Sequence, residues 1–130
     1  MPKKRILIVD DEEAIRGVLR DFFDIEGFEV FEAADGASAL EMARKEYFDV
    51  VLTDLTMPAP DGFGVLKEIR HIRPEAAVLM CTAYASPENT IKALELGCDG
   101  YVRKPFSLQR LKYMIHQGLM KRKSERKHPR

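Results

Sequence analysis

The chain has 130 residues, 45% of them hydrophobic and 32% charged, and a formal net charge of zero. This is the size and composition of one globular domain able to bury a full core. No apolar run approaches the roughly 20 residues of a membrane-spanning helix, and the stretch after the basic start Met1-Pro2-Lys3-Lys4-Arg5 is broken by Asp10, too early for a secretory leader, so a cytoplasmic protein without membrane insertion is expected.

Strand-like and helix-like segments alternate five times. The first strand, residues 5–9, is the run Ile6-Leu7-Ile8-Val9, stopped by Asp10 and Asp11. A run so short and so uniformly apolar fits a strand buried on both faces. A helix from about Glu13 to Glu26 follows. Its apolar residues Ile15, Val18, Leu19, Phe22 and Ile25 recur at three and four, and Gly27 suits its C-terminal cap. The second strand covers residues 29–33, and Asp35 can cap the helix carrying Ala39, Leu40 and Ala43. The third strand, residues 49–54, ends in Asp54. A third helix takes Gly62 to His71 with Val65, Leu66 and Ile69 inward, and Pro74 closes the unit. The fourth strand, residues 77–82, ends at Thr82. Ser86-Pro87-Glu88 opens a fourth helix, which carries Ile91, Leu94 and Leu96 and stops at Gly97. The fifth strand, residues 100–103, runs into Lys104, and Pro105 ends it. Ser107 can cap a last helix with Leu108, Leu111, Met114, Ile115 and Leu119 on its apolar face. Five βα units in succession imply an α/β fold: a doubly wound, parallel five-stranded sheet with helices on both faces.

Residues 1–120 read as this domain. Residues 121–130 hold six Lys or Arg and one Glu, a net of +5 against −5 for the rest. Without apolar periodicity this tail is either an extra helical turn or a frayed end. It reads as a solvated end or linker rather than a nucleic-acid contact. Cys81 and Cys98 lack metal-type spacing and read as inert thiols. His71, His116 and His128 are scattered, without ligand spacing.

The chemistry lies at the strand ends. Open α/β sheets bind ligands beyond the carboxyl ends of their strands, at the switch point of the winding. For strand order 2-1-3-4-5 the crevice opens between the first and third strands, where Asp10, Asp11 and Asp54 converge. Two carboxylates about 4 Å apart repel by roughly 4 kcal/mol at an effective dielectric near 20. Three of them call for a cation, and Mg²⁺ is the hard ion that takes carboxylates, waters and phosphate oxygens. Lys104 adds a fixed positive charge and Thr82 a hydroxyl.

These residues carry a resemblance. Ile6-Leu7-Ile8-Val9-Asp10-Asp11-Glu12, Thr53-Asp54-Leu55-Thr56-Met57-Pro58, Asp61-Gly62, Cys81-Thr82-Ala83 and Tyr101-Val102-Arg103-Lys104-Pro105-Phe106 stand in order over residues 4 to about 120. The chain resembles a receiver domain of a two-component response regulator, the CheY-like family, and the sheet order above is drawn in part from that fold. The resemblance implies that Asp54 accepts a phosphoryl group from a phosphohistidine on a sensor histidine kinase or histidine phosphotransfer protein. Asp11, Asp54 and the backbone carbonyl of Thr56 would bind Mg²⁺, with Asp10 acting through a metal-bound water. Lys104 would pair with the transferred phosphoryl group. Thr82 and Tyr101 would be the switch pair, reshaping the surface of the fourth helix, fifth strand and fifth helix to control an output partner; a homodimer through that surface is a further family expectation. It also implies a cis Lys104–Pro105 bond, and a domain that catalyses only its own phosphorylation and dephosphorylation.

The sequence departs from the family pattern at Pro60, where a methionine is common, so Pro58-Ala59-Pro60-Asp61-Gly62 should be a stiff loop. Thr56 and Tyr84 sit where the family tunes the lifetime of the phosphorylated state. The competing readings are a metal-dependent phosphatase with an aspartyl-phosphate intermediate, and a flavin-binding protein of the same fold. The first would want an acid/base aspartate where Thr56 stands, and the second a phosphate loop where Asp10-Asp11-Glu12-Glu13 stands.

Overall fold

Alternate residues of each apolar run feed two separate cores, and this makes the runs central strands. In the computed structural model, which describes residues 2–127 with side chains through residue 124, five strands form: β1 (Arg5–Val9), β2 (Glu29–Ala33), β3 (Val50–Asp54), β4 (Ala77–Thr82) and β5 (Gly100–Arg103). All pairs are parallel, in the order β2-β1-β3-β4-β5. The helices between and after them are α1 (Glu13–Ile25), α2 (Gly36–Lys45), α3 (Gly62–Ile72), α4 (Pro87–Glu95) and α5 (Leu108–Lys127). This is the expected doubly wound α/β architecture.

Ile6 and Ile8 of β1 pack with Leu52, Leu79, Leu19 and Phe23 of α1, and Leu111 and Ile115 of α5. Leu7 and Val9 face the other way, toward Ala39, Leu40 and Ala43 of α2, Val65, Leu66 and Ile69 of α3, and Ala93 of α4. Every residue of β3 and β4 is buried. Each such Leu or Ile contributes roughly 1.5–3 kcal/mol, so the carboxyl ends of β1, β3 and β4 are held by a stiff base.

The expected caps form. Asp35, Ser86 and Ser107 accept from the backbone N–H of Ser38, Asn89 and Arg110 at 2.7, 3.1 and 2.9 Å. Asp61 does the same for Gly64 at 3.0 Å. Gly27 and Gly97 take φ of 95° and 94°, the left-handed region where a Cβ is strained. The Lys104–Pro105 bond is cis, as expected, and so is Ala59–Pro60.

The helical period is right in α1, but its inner face is rotated. Leu19 and Phe23 are buried, whereas Val18 and Ile25 are 56% and 83% exposed. In α4 only Ala93 is buried, and Ile91 and Leu94 face outward. Three- and four-residue spacing fixes a stripe's direction along a helix and leaves its edges free, and small α4 meets the sheet through one alanine.

The helical alternative for the chain beyond residue 120 holds as far as Lys127; residues 128–130, His128 among them, lie outside the described residues. Asp99, whose carboxylate is fully buried, explains the continuation. It accepts from Arg122 Nε at 2.8 Å, from the backbone N–H of Val78 at 2.9 Å and from Arg70 Nη2. Arg122 also donates to the Gly97 carbonyl at 3.2 Å. This tail residue is thus part of the packed end of the sheet. Arg122→Ala should lower stability by about 1–2 kcal/mol in urea unfolding, where a solvated tail residue would change it by no more than about 0.5. Among the described residues no helix is long and apolar enough to cross a membrane.

Candidate functional site

The carboxyl ends of β1, β3 and β5 bring the singled-out charges together. Lys104 Nζ donates to Asp10 Oδ2 at 2.9 Å and to Asp54 Oδ2 at 3.3 Å, and lies 3.6 Å from Glu12 Oε1. Asp10 and Asp54 are buried, at 3% and 6% exposure, while Asp11 and Glu12 face outward. The other Asp54 oxygen, Oδ1, accepts from the Thr56 backbone N–H at 3.3 Å. Asp10 Oδ1 accepts from the Glu12 N–H at 2.8 Å, and Arg16 holds the Asp10 carbonyl at 2.7 Å. A pocket of ≈ 310 Å³ opens above them, lined by Asp11, Glu12, Asp54, Thr56, Ala83, Tyr84 and Lys104.

Charge and burial oppose each other here. Burial pushes the Asp54 carboxyl above the usual carboxylate range; Lys104 pulls it back, and the neighbouring Asp10 charge adds to the rise. Burial also works against the Lys104 ammonium, but its bonds to Asp10 and Asp54 outweigh that and hold it above an ordinary lysine. One oxygen each from Asp10, Asp11, Glu12 and Asp54 lies within 4.8 Å of the others. Four hard oxygen donors with one ammonium leave negative charge uncompensated, and the donor set fits a hard divalent ion such as Mg²⁺. Beneath the site, burial pushes the Cys81 thiol up to about 12, so it stays protonated.

Many known proteins are similar to this chain in sequence and in fold. Residues 6–116 match the family model described as the response regulator receiver domain. The chain belongs to that family. The receiver is 39% identical over 116 residues to the chemotaxis protein CheY of Bacillus subtilis, covering 88% of this chain and 97% of CheY. It is 40% identical over 119 residues to the probable transcriptional regulator ycf27 of Porphyridium aerugineum, covering 92% of this chain and 49% of that protein. The crystal structure of a CheY-like receiver domain protein from Methanospirillum hungatei superposes with a TM-score of 0.91 at 35% identity, covering 95% and 99% of the two chains. The receiver spans about half the length, or less, of the ycf27 and AtoC relatives it matches. Receivers are signalling modules of two-component systems, which places this domain in that class.

In this receiver Thr82 is fully buried at the end of β4, and its Oγ1 accepts from the Tyr84 N–H at 3.0 Å. Tyr101 is half-buried against the α2–α4 core. Its hydroxyl is buried and makes no hydrogen bond. Thr90 lies beside it, but the Thr90 hydroxyl donates to the Ser86 carbonyl at 2.9 Å. Burial raises the Tyr101 phenol above its ordinary value, so it stays protonated.

Sequence reasoning missed Glu12 as the fourth carboxylate and Arg16 as the clamp on Asp10. Glu12 stood in the acidic run and carried a signal; Arg16, on a helix of mixed charge, carried none. It also missed the Asp99 network, which joins residues 23 and 29 positions apart in sequence.

Proposed function

We propose that this receiver is a phosphorylation switch whose acceptor is Asp54. The observation that carries the reading is that a buried carboxylate at the end of β3 shares Lys104 with Asp10 and opens onto an acidic, oxygen-lined pocket. A phosphohistidine on a kinase or phosphotransfer protein is the donor. The donor N–P bond breaks, its electron pair stays on the imidazole nitrogen, and an O–P bond forms to an Asp54 oxygen. The donor ring leaves as neutral imidazole when its other nitrogen is protonated, and Asp54 becomes an acyl phosphate. Asp10, Asp11, Asp54 and the Thr56 carbonyl would hold Mg²⁺, with Glu12 at the rim, and the bound ion would offset charge on the transferring group. Lys104 pairs with a phosphoryl oxygen afterwards.

An apolar groove of ≈ 590 Å³ between α1 and the start of α5, lined by Ile15, Val18, Pro105 and Phe106, shares Lys104 and Ala83 with the pocket. A donor protein that brings its imidazole to Asp54 covers this groove. Phosphorylation adds roughly −1.5 to −2 in charge. The Thr82 hydroxyl then turns from Tyr84 to a phosphoryl oxygen, Tyr101 takes up the space released, and the α4–β5–α5 face changes for an output partner or a second copy. Moving such an equilibrium from about 1:99 to 99:1 takes roughly 5.5 kcal/mol, within reach of a few charge-assisted hydrogen bonds. A phosphatase reading is disfavoured because Thr56 offers no acid/base carboxylate.

Incubation with acetyl phosphate and Mg²⁺ should add one phosphoryl group, located on Asp54 by peptide mass, and chelation with EDTA should prevent it. Repeated turnover of a phosphoester, or labelling indifferent to EDTA, would overturn the proposal.

A further inference from the structure

The loop between β3 and α3 is seated on glycines. Its base is closed by the Gly62 N–H donating to the Leu55 carbonyl at 2.9 Å. Leu55 and Met57 are buried in the core, and Asp61 caps α3. Between these anchors Thr56 is the exposed residue facing the acidic pocket. At the far side of the loop Pro60 lies against the first turn of α2. A Cβ on Gly36 would fall 2.2 Å from the Pro60 carbonyl oxygen, 2.9 Å from its ring Cγ and 3.0 Å from Val65 Cγ2. A Cβ on Gly64 would sit 3.1 Å from Pro60 Cβ. At the base, a Cβ on Gly62 would meet the Asp54 carbonyl oxygen at 2.5 Å and Leu55 Cα at 2.6 Å.

Carbon and oxygen do not approach to such distances, so any side chain at Gly36 must displace the loop or the helix. The helix is the stiffer side. Its cap is closed by Asp35 on the Ser38 N–H, and Ala39, Leu40 and Ala43 bury its inner face. Pro60 is also the residue at which this sequence departs from the family's common methionine, and its ring and carbonyl fill the space that glycine leaves. We propose that Gly36, although remote in sequence, is a positioning residue for the metal site. By seating Pro60 it fixes the loop of residues 55–61 and hence the aim of the Thr56 carbonyl. The inference rests on the Mg²⁺ reading above.

The test is calorimetric titration of the unphosphorylated protein with MgCl₂. Gly36→Ala should weaken Mg²⁺ binding on the order of tenfold, the scale on which groups that orient a metal's ligands act. In metal-free buffer its amides over residues 55–61 should exchange faster. Leu40→Ala, one turn further along α2 and buried at 6% exposure, is the control for general loosening. It should lower the melting temperature while leaving Mg²⁺ affinity and exchange in the loop as in the wild type. Wild-type affinity in Gly36→Ala, or an equal loss in Leu40→Ala, would overturn the inference. If Gly36→Ala does not fold, Pro60→Gly, which releases the loop without adding bulk, decides the matter by the same readout. Failure of the wild type to bind Mg²⁺ would instead sink the functional reading, before any variant is compared.

Discussion

Asp54→Asn should accept no phosphoryl group from acetyl phosphate, and at neutral pH without Mg²⁺ it should melt higher than the wild type. The first effect follows from the amide's lack of an anionic oxygen nucleophile. The second follows from electrostatics. Burial raises the Asp54 pKa, Asp10 adds to the rise, and Lys104 opposes both. A carboxyl whose folded pKa exceeds its unfolded value stabilises the fold only while protonated. That contribution is full below the unfolded pKa near 4 and is lost as pH rises through the folded pKa. At pH 7 the ionised group therefore costs stability, and the isosteric amide removes the charge. A gain of about 1 kcal/mol would raise the melting temperature by roughly 3–5 °C. The gap should close toward pH 4, where the wild type protonates. Adding Mg²⁺ should reverse the order, because an ion bound by the native wild type stabilises it by mass action. Calorimetry with and without Mg²⁺ reads all three. A variant no more stable than the wild type in metal-free buffer would show that Lys104 already neutralises the cluster, and labelling that survives would move the acceptor elsewhere.

The parts of this molecule that could be read from the sequence are those fixed by local rules. Strand runs such as Ile6-Leu7-Ile8-Val9 are apolar throughout because both faces are covered, and that leaves a mark independent of tertiary detail. The caps at Asp35, Ser86 and Ser107 were legible for the same reason, since each side chain satisfies an N–H three residues away. The cluster of Asp10, Asp11, Asp54 and Lys104 was legible because charge that interrupts buried strands must converge where the strands end. Contacts between distant segments left no such mark. Arg122 reads as one more charge in a basic tail until Asp99 is seen buried beneath it. Gly36 reads as an ordinary first helical residue until the Pro60 carbonyl is placed against it. Val18 and Ile25 kept the helical period yet face solvent, because the period does not say where the edge of a buried stripe falls. Tyr101 shows the same limit from the other side. Its inward packing with an unpartnered hydroxyl depends on neighbours that sequence alone does not arrange.

Lys104→Met should make the opposite trade to Asp54→Asn. The methionine keeps the length and packing of the side chain and removes the one ammonium within 4 Å of Asp10, Glu12 and Asp54 among the described residues. Lys104 is 11% exposed and Asp10 and Asp54 are 5% and 7% exposed at the side chain, so water screens the loss poorly. Removing one partner of a buried pair costs about 3–5 kcal/mol. A value near 3 is expected here, because Glu12 and Asp11 border the solvent. The deficit should shrink at acid pH, where Asp54, its pKa raised by burial, takes up a proton. The wild type should hold its advantage up to alkaline pH. The Lys104 pKa is raised, burial notwithstanding, by Asp10 and Asp54, so its contribution is full below the unfolded value near 10.4 and is lost only as pH climbs through the folded one. The same vacancy of positive charge should tighten Mg²⁺ binding, on the order of tenfold, since the ammonium and the ion compete for the same oxygens. At Mg²⁺ a hundredfold above the variant's dissociation constant, binding stabilises the variant by about 2.7 kcal/mol against about 1.4 kcal/mol for the more weakly binding wild type, so roughly half of the deficit is recovered. The variant should then be a folded, metal-loaded receiver whose acyl phosphate lacks its ammonium partner. Urea unfolding across a Mg²⁺ series measures both halves of the trade. If Mg²⁺ binds the variant no more tightly than the wild type, Lys104 does not compete for the metal's oxygens, and its place in the cluster serves the phosphoryl group alone.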